Sequence, residues 1–112
     1  MASTPEGGET GSVAVLFSPA RTRLVLSGEL DDAVEQELTT AVLECRAAAA
    51  PVDVDVRTVA FIDSTGAAHL AQLAQSLPVR VIQPPDSVRF LLTVTGLAAQ
   101  VEILEDCPAF PE

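Results

Sequence analysis

The residues Asp63-Ser64-Thr65-Gly66 are where this chain's side-chain types and spacing could do chemistry. They stand between a short apolar run, Val59-Ala60-Phe61-Ile62, and an Ala/Leu/Gln segment with helical spacing. A hydroxyl at such a strand-to-helix junction sits where backbone N–H groups lack partners. It is expected to be exposed, and an anion there gains about 0.3–1 kcal/mol from the helix dipole. Two roles are therefore open for Ser64: a helix cap, or an acceptor of phosphate. Spacing alone does not choose between them.

Other chemistries find less support. A nucleophile with its base and orienter needs Ser, His and Asp in contact. His69 is the single histidine. It follows Ser64 by five positions, about 140° round a helix, so the two side chains diverge. His69 reads as a helix-surface or partly buried residue. No second His or clustered Cys accompanies it, so no metal site is expected. No cofactor motif is expected either: Gly7-Gly8-Glu9-Thr10-Gly11-Ser12 lacks the lysine of a phosphate-binding loop and reads as a linker. Asp31-Asp32, Asp53 with Asp55, and Glu105-Asp106 read mostly as solvated surface or caps. Asp31 and Asp55 are the expected exceptions. Both read as lying near strand C-terminal ends, the edge where open α/β sheets place their sites, and Asp63 is near the same edge. Cys45 and Cys107 have no Cys-x-x-Cys spacing and read as two reduced thiols.

The elements that must position these residues follow from periodicity. Residues 1–11 are rich in Gly, Ser, Thr, Pro and Glu and read as a disordered leader. Val13–Phe17 and Arg23–Ser27 read as strands of a hairpin around Ser18-Pro19-Ala20. Asp31-Asp32 is a good N-cap pair for a helix over 32–48, with Val34, Leu38, Ala41, Val42 and Cys45 on one face. Pro51 stops it. Val52, Val54 and Val56 alternate with Asp53, Asp55 and Arg57, the period of a strand with one apolar face. A second helix over about 65–76 carries Leu70, Leu73 and Leu77. Val79–Ile82 reads as a strand, Asp86-Ser87 as the cap of a third helix that ends at Gly96, and Val101–Leu104 as the last strand. After the hairpin, strands and helices alternate. That order predicts an α/β domain with a mixed, mainly parallel sheet and flanking helices, over 12–106, with a tail at 107–112.

Composition narrows the function classes. The 112 residues suit one domain with one core. Nearly half are apolar, which argues for a globular fold. The net charge of −10 speaks against nucleic acid, whose affinity comes from basic residues, and against anionic membrane surfaces. It favours a partner with a basic face. All six basic residues are Arg, a pattern common in GC-rich genomes. There is no secretory signal and no run of about 20 apolar residues, so a cytoplasmic protein with no direct membrane insertion is expected.

Phe61-Ile62-Asp63-Ser64-Thr65-Gly66 resembles the Asp-Ser-Ser/Thr-Gly signature of STAS domains, the sulfate transporter and anti-sigma factor antagonist family. Gly28-Glu29-Leu30-Asp31 is similar to the family's Gly-x-Leu-Asp motif before the first helix. Val54-Asp55-Val56 is similar to its hydrophobic-Asp-hydrophobic strand. The segment from Val88 to Leu97, ending Thr95-Gly96-Leu97, is similar to its third helix. The resemblance covers roughly residues 12–104. One departure is Gly66-Ala67-Ala68, where family members often carry Gly-Leu-Gly.

The resemblance implies a mixed sheet with flanking helices and no catalytic activity. It implies a bacterial partner-switching regulator of transcription, bound by an anti-sigma factor that is also a serine kinase. The phosphorylated position would be Ser64, and Asp31, Asp55, Asp63, Thr65 and Gly66 would line the site or contact the partner. A different class remains open: a non-phosphorylated STAS subunit of a larger assembly, such as a lipid-transport complex.

Overall fold

The computed structural model describes residues 11–110. Most of the leader expected at 1–11, and the last two residues of the tail, lie outside them. The chain runs β1 (Ser12–Phe17), β2 (Thr22–Leu30), a 3-10 turn (Asp32–Val34), α1 (Glu35–Ala48), β3 (Val52–Ile62), α2 (Ser64–Ser76), β4 (Val79–Ile82), α3 (Asp86–Val94), a second 3-10 turn (Leu97–Ala99) and β5 (Glu102–Leu104). The five strands lie side by side in sequence order. β1 and β2 are antiparallel, and every later pair is parallel. This is the mixed, mainly parallel sheet that the alternation of elements predicts.

One face of the sheet builds the core. Leu24, Leu26, Val52, Val54, Val56, Val79 and Val81 are buried there beneath Leu38, Val42 and Cys45 of α1, Leu70 and Leu73 of α2, and Val88 and Leu92 of α3. Each of these helical sets recurs at three or four residues, the spacing of a single helix face. Burial, together with the Glu44 carboxylate, pushes the Cys45 thiol up to about 11, so Cys45 is a packing residue and not a nucleophile. Both cysteines are free thiols.

β3 departs from its expected pattern in two ways. It is one strand of 11 residues, because the run Val59–Ile62 keeps pairing with an extension of β2. β2 reaches Leu30 through two register irregularities, and Gly28 takes a φ of 74° at this bend, a conformation that suits glycine. Nor does β3 have a solvated acidic face. Asp53 is fully buried and Asp55 nearly so.

A charged row explains the burial of Asp53. The sheet register lines up Arg23, Asp53, Arg80 and Glu102 across four neighbouring strands, alternating in sign. Arg80 grips Asp53 in a bidentate pair, Nε to Oδ1 at 2.7 Å and Nη2 to Oδ2 at 2.8 Å. Arg21, from the hairpin turn, donates to Oδ1 at 3.1 and 2.9 Å, and Arg23 reaches Oδ2 at 3.4 Å. The C-terminal segment crosses this face: the Pro108 carbonyl accepts from Arg23 at 2.8 Å, and the Phe110 ring lies 5.4 Å from its guanidinium.

Helix starts also differ from expectation in two places. The helix expected over 32–48 opens as the 3-10 turn capped by Asp31, and α1 proper begins only at Glu35, behind Val34 and without a side-chain cap. α3 begins after Pro85, whose φ of −64° and ψ of 168° hold the chain extended, and no side chain caps it. Asp86 sits inside its first turn, where its charge still complements the helix dipole. Gly96 ends this region with a φ of 78°.

Candidate functional site

The ends of β2 and β3 bring the site together. Leu30 and Ile62 are cross-strand partners, and the Asp63 N–H donates to the Leu30 carbonyl at 3.2 Å. Asp31 and Asp63 therefore leave adjacent strand ends, and each caps the turn that follows. Asp31 Oδ1 accepts from the Ala33 N–H at 3.0 Å, and Asp63 Oδ1 accepts from the Gly66 N–H at 2.9 Å. Gly66 allows α2 to start directly on the end of β3: a Cβ there would lie 2.8 Å from Ile62 Cγ1.

Asp63 thus takes the capping role that the sequence leaves open to Ser64. Ser64 is the first residue of α2 and is exposed, and its hydroxyl makes no hydrogen bond among the described residues. Thr65 is half-buried, and the two hydroxyls border different grooves. Ser64 lines one of about 180 Å³ with Ala67, Ala68 and Ala71 of α2 and Thr95, Leu97 and Gln100 beyond α3. Thr65 lines the groove on the α1 side, with Glu35, His69 and Gln72. His69 is mostly buried there, its Nε2 3.8 Å from a Glu35 carboxylate oxygen.

Asp55 does not join this site. It lies in the middle of β3, opposite Val25 and Ile82, and about 25 Å of extended chain separates it from Asp63. Its carboxylate is held by Arg57, through Nε at 3.0 Å, Nη2 at 2.8 Å and the backbone N–H at 3.1 Å. Burial works to raise its pKa, but these bonds outweigh it and hold the group below the usual carboxylate range. The expectation that Asp55 lies at a strand end fails because β3 continues through the run that follows.

Asp53 follows the same logic more strongly. Burial opposes its charge, and the bonds from Arg80 and Arg21 more than offset this, so its pKa is lowered. Sequence reasoning missed this cluster. Only a partial signal was present: Asp53 and Arg80 each stand between valines in segments that read as strands, but the pairing that sets them opposite Arg23 comes from the sheet register.

The chemistry available at the Ser64 edge is that of an unbonded, exposed hydroxyl at a helix N-terminus, beside two acidic caps. No arginine lines its groove. Among the described residues there is no group of three or more His, Cys, Asp or Glu that could hold a metal. Among them, too, no helix is long and apolar enough to cross a membrane.

The family model described as "Mlab, STAS domain" matches residues 13–105. An anti-sigma factor antagonist from Mycobacterium paratuberculosis is similar in structure, with a TM-score of 0.76 at 21% identity over 85% of this chain and 86% of that one. The anti-sigma factor antagonist SpoIIAA in its unphosphorylated form gives 0.64 at 22% identity, over 82% and 87%. The Bacillus cell fate determinant SpoIIAA in its phosphorylated form gives 0.61 at 17%, over 82% and 90%. At these identities the likeness shows the fold. No curated protein matches the chain.

Proposed function

The chain belongs to the STAS-domain family, and from that premise we propose that it is an anti-sigma factor antagonist, switched off by phosphorylation of Ser64. The observation that carries this reading is the division of labour at the start of α2. Asp63 caps the helix, which leaves the Ser64 hydroxyl exposed and without a hydrogen bond. In this reading residues 12–106 form a cytoplasmic regulator with no catalytic activity of its own, and its partner is an anti-sigma factor with serine kinase activity. Asp31, Asp63, Thr65 and Gly66 shape the docking edge.

The switch works through charge and hydration. Unmodified, the shallow groove of Ala67, Ala68, Ala71 and Leu97 beside Ser64 can be covered by the partner with little polar surface to desolvate. A phosphate adds about −1.5 to −2 charge. The helix dipole stabilises that charge within this protein, but no arginine of this chain borders the groove to neutralise it. A docking partner must then strip its water beside Asp63 and Asp31, and the complex weakens.

The test uses a kinase-competent anti-sigma factor from the same genome, with ATP. Phosphate is expected on Ser64, located by mass spectrometry, and absent from Ser64→Ala, while Thr65→Ala still accepts it. Ser64→Ala should bind the unmodified partner as the parent does. Ser64→Asp should bind about tenfold more weakly or worse, the cost of burying one uncompensated charge. Phosphate found elsewhere, or a Ser64→Asp variant that binds as tightly as the parent, overturns the mechanism.

A second reading, a STAS subunit of a larger assembly such as a lipid-transport complex, is favoured by two observations. The matching family model is described as Mlab, and Phe90 and Val94 stand 68% and 58% exposed one turn apart on α3. It is supported if Phe90→Ser abolishes partner binding while Ser64→Asp leaves it intact.

A further inference from the structure

We propose that the outer edge of β1, with the groove between it and α1, docks an extended segment of a partner protein whose groove-facing residues, every second one, include both apolar and basic side chains. Among the described residues β1 is an edge strand, paired with β2 alone, and its six residues keep an unbroken register. Its sequence, Ser12-Val13-Ala14-Val15-Leu16-Phe17, contains no charge, proline or glycine. Edge strands are normally protected from further pairing by such residues or by bulges. The sheet's bulges lie between β2 and β3 instead. The opposite edge is unlike this one: β5 is three residues long and begins with Glu102.

The groove tells what kind of strand fits. It measures about 450 Å³, with Val13, Ala14 and Val15 on one side and Gln36, Glu37, Thr40, Ala41 and Glu44 of α1 on the other. A strand added to β1 would run about 4.8 Å outside it, its alternate side chains directed into this groove. There they would meet two valines and two exposed carboxylates, and no basic residue. Apolar and basic side chains on the same face of the added strand, at positions i, i+2 and i+4, satisfy both. A second copy of this chain is the poorer occupant. Antiparallel pairing of two β1 edges would set both α1 helices on the same face of the joined sheet. Each copy would bring Glu37, Glu44 and a net charge of −10 to that seam.

The test uses a synthetic heptapeptide, Thr-Arg-Thr-Val-Thr-Arg-Thr, blocked at both ends, whose two Arg and one Val share a single face of the strand. Three controls accompany it: the same peptide N-methylated throughout, the version with Glu in place of Arg, and the protein variants Glu37→Gln, Glu44→Gln and Asp106→Asn. We expect binding with slowed hydrogen exchange at amides of residues 12–17. The N-methylated peptide should bind about tenfold more weakly or worse, since it cannot donate the strand's N–H hydrogen bonds, and the acidic peptide should not bind. Glu37→Gln and Glu44→Gln should each weaken binding about two- to fivefold, the range for exposed ion pairs, and the distant Asp106→Asn should leave it unchanged. Equal binding of the N-methylated peptide, or equal effects of Asp106→Asn and Glu37→Gln, would reduce the interaction to bulk charge and overturn the proposal. So would sedimentation as a dimer that the peptide fails to dissociate, because a second copy would then own the edge.

Discussion

Replacing Asp53 by Asn tests whether one carboxylate holds the sheet's second face together. The change keeps the shape of the side chain and removes its charge. Asp53 is fully buried and accepts from Arg80, Arg21 and Arg23. Without the carboxylate, three guanidiniums converge on a neutral amide, whose NH₂ group adds donors where acceptors are needed. Breaking a buried pair from one side costs about 3–5 kcal/mol. A domain of this length has a total stability of about 6–17 kcal/mol, so the variant loses a large share of it. With a urea m-value of about 1.5 kcal/mol/M, the unfolding midpoint should fall by about 2 M or more.

Asp55→Asn is the internal comparison. Arg57 is 46% exposed, so that pair behaves largely as a surface ion pair and its loss should cost about 1 kcal/mol. The pH dependence supplies a second readout. The folded pKa of Asp53 is lowered. Its contribution is therefore complete above the unfolded value of about 3.9 and is lost as pH falls below that toward the folded pKa. The stability gap between parent and Asp53→Asn should hold constant at neutral pH and narrow below about pH 4. A midpoint within about 0.5 M of the parent, or a gap that does not change with acid, would refute the claim that the carboxylate organises the arginines.

Two further outcomes follow from the site and the charge. Asp63→Ala should lower stability by about 0.5–2 kcal/mol, because it removes the cap on the Gly66 N–H. Ser64→Ala should change it by less than about 0.5 kcal/mol, and urea unfolding of the two variants checks the contrast. Partner affinity should fall as salt rises, since a surface of net charge −10 attracts a basic face and exposed charges are screened within about 10 Å at 0.1 M; calorimetric titrations between low and moderate salt read this directly.

The contrast between Asp63 and Asp53 shows what sequence can and cannot reveal here. The junction at Asp63 was legible because its geometry is local, although the sequence offered the cap to Ser64 and the structure gives it to Asp63. Its partner is the N–H of Gly66, three residues on, and the pattern of an acidic residue, hydroxyls and a glycine at the start of an apolar helix carries that geometry within one turn. The helix faces were legible for the same reason: Leu38, Val42 and Cys45, or Leu70 and Leu73, reveal burial by their own spacing. The order of elements then fixed the sheet, because a strand followed by a crossing helix has few ways to return.

Asp53 was not legible because its partners come from afar. Arg21 approaches from the hairpin turn, Arg23 from β2 and Arg80 from β4, and only the parallel register of β2, β3 and β4 sets Arg23, Asp53 and Arg80 in one row. Alternation of Val and Asp ordinarily marks one buried and one solvated face, and here the second face is covered by guanidiniums and by the chain near Pro108 and Phe110. The same long-range pairing misplaced Asp55, since only the neighbouring strand shows that β3 runs on to Ile62. The consequence is a division within the domain. The helical face and the Ser64 edge are written in local pattern, so a change there acts locally on a cap or a docking groove. The opposite face depends on charges drawn from three separate segments, so a single substitution at Asp53 should be felt across the whole sheet while leaving the Asp63 cap in place.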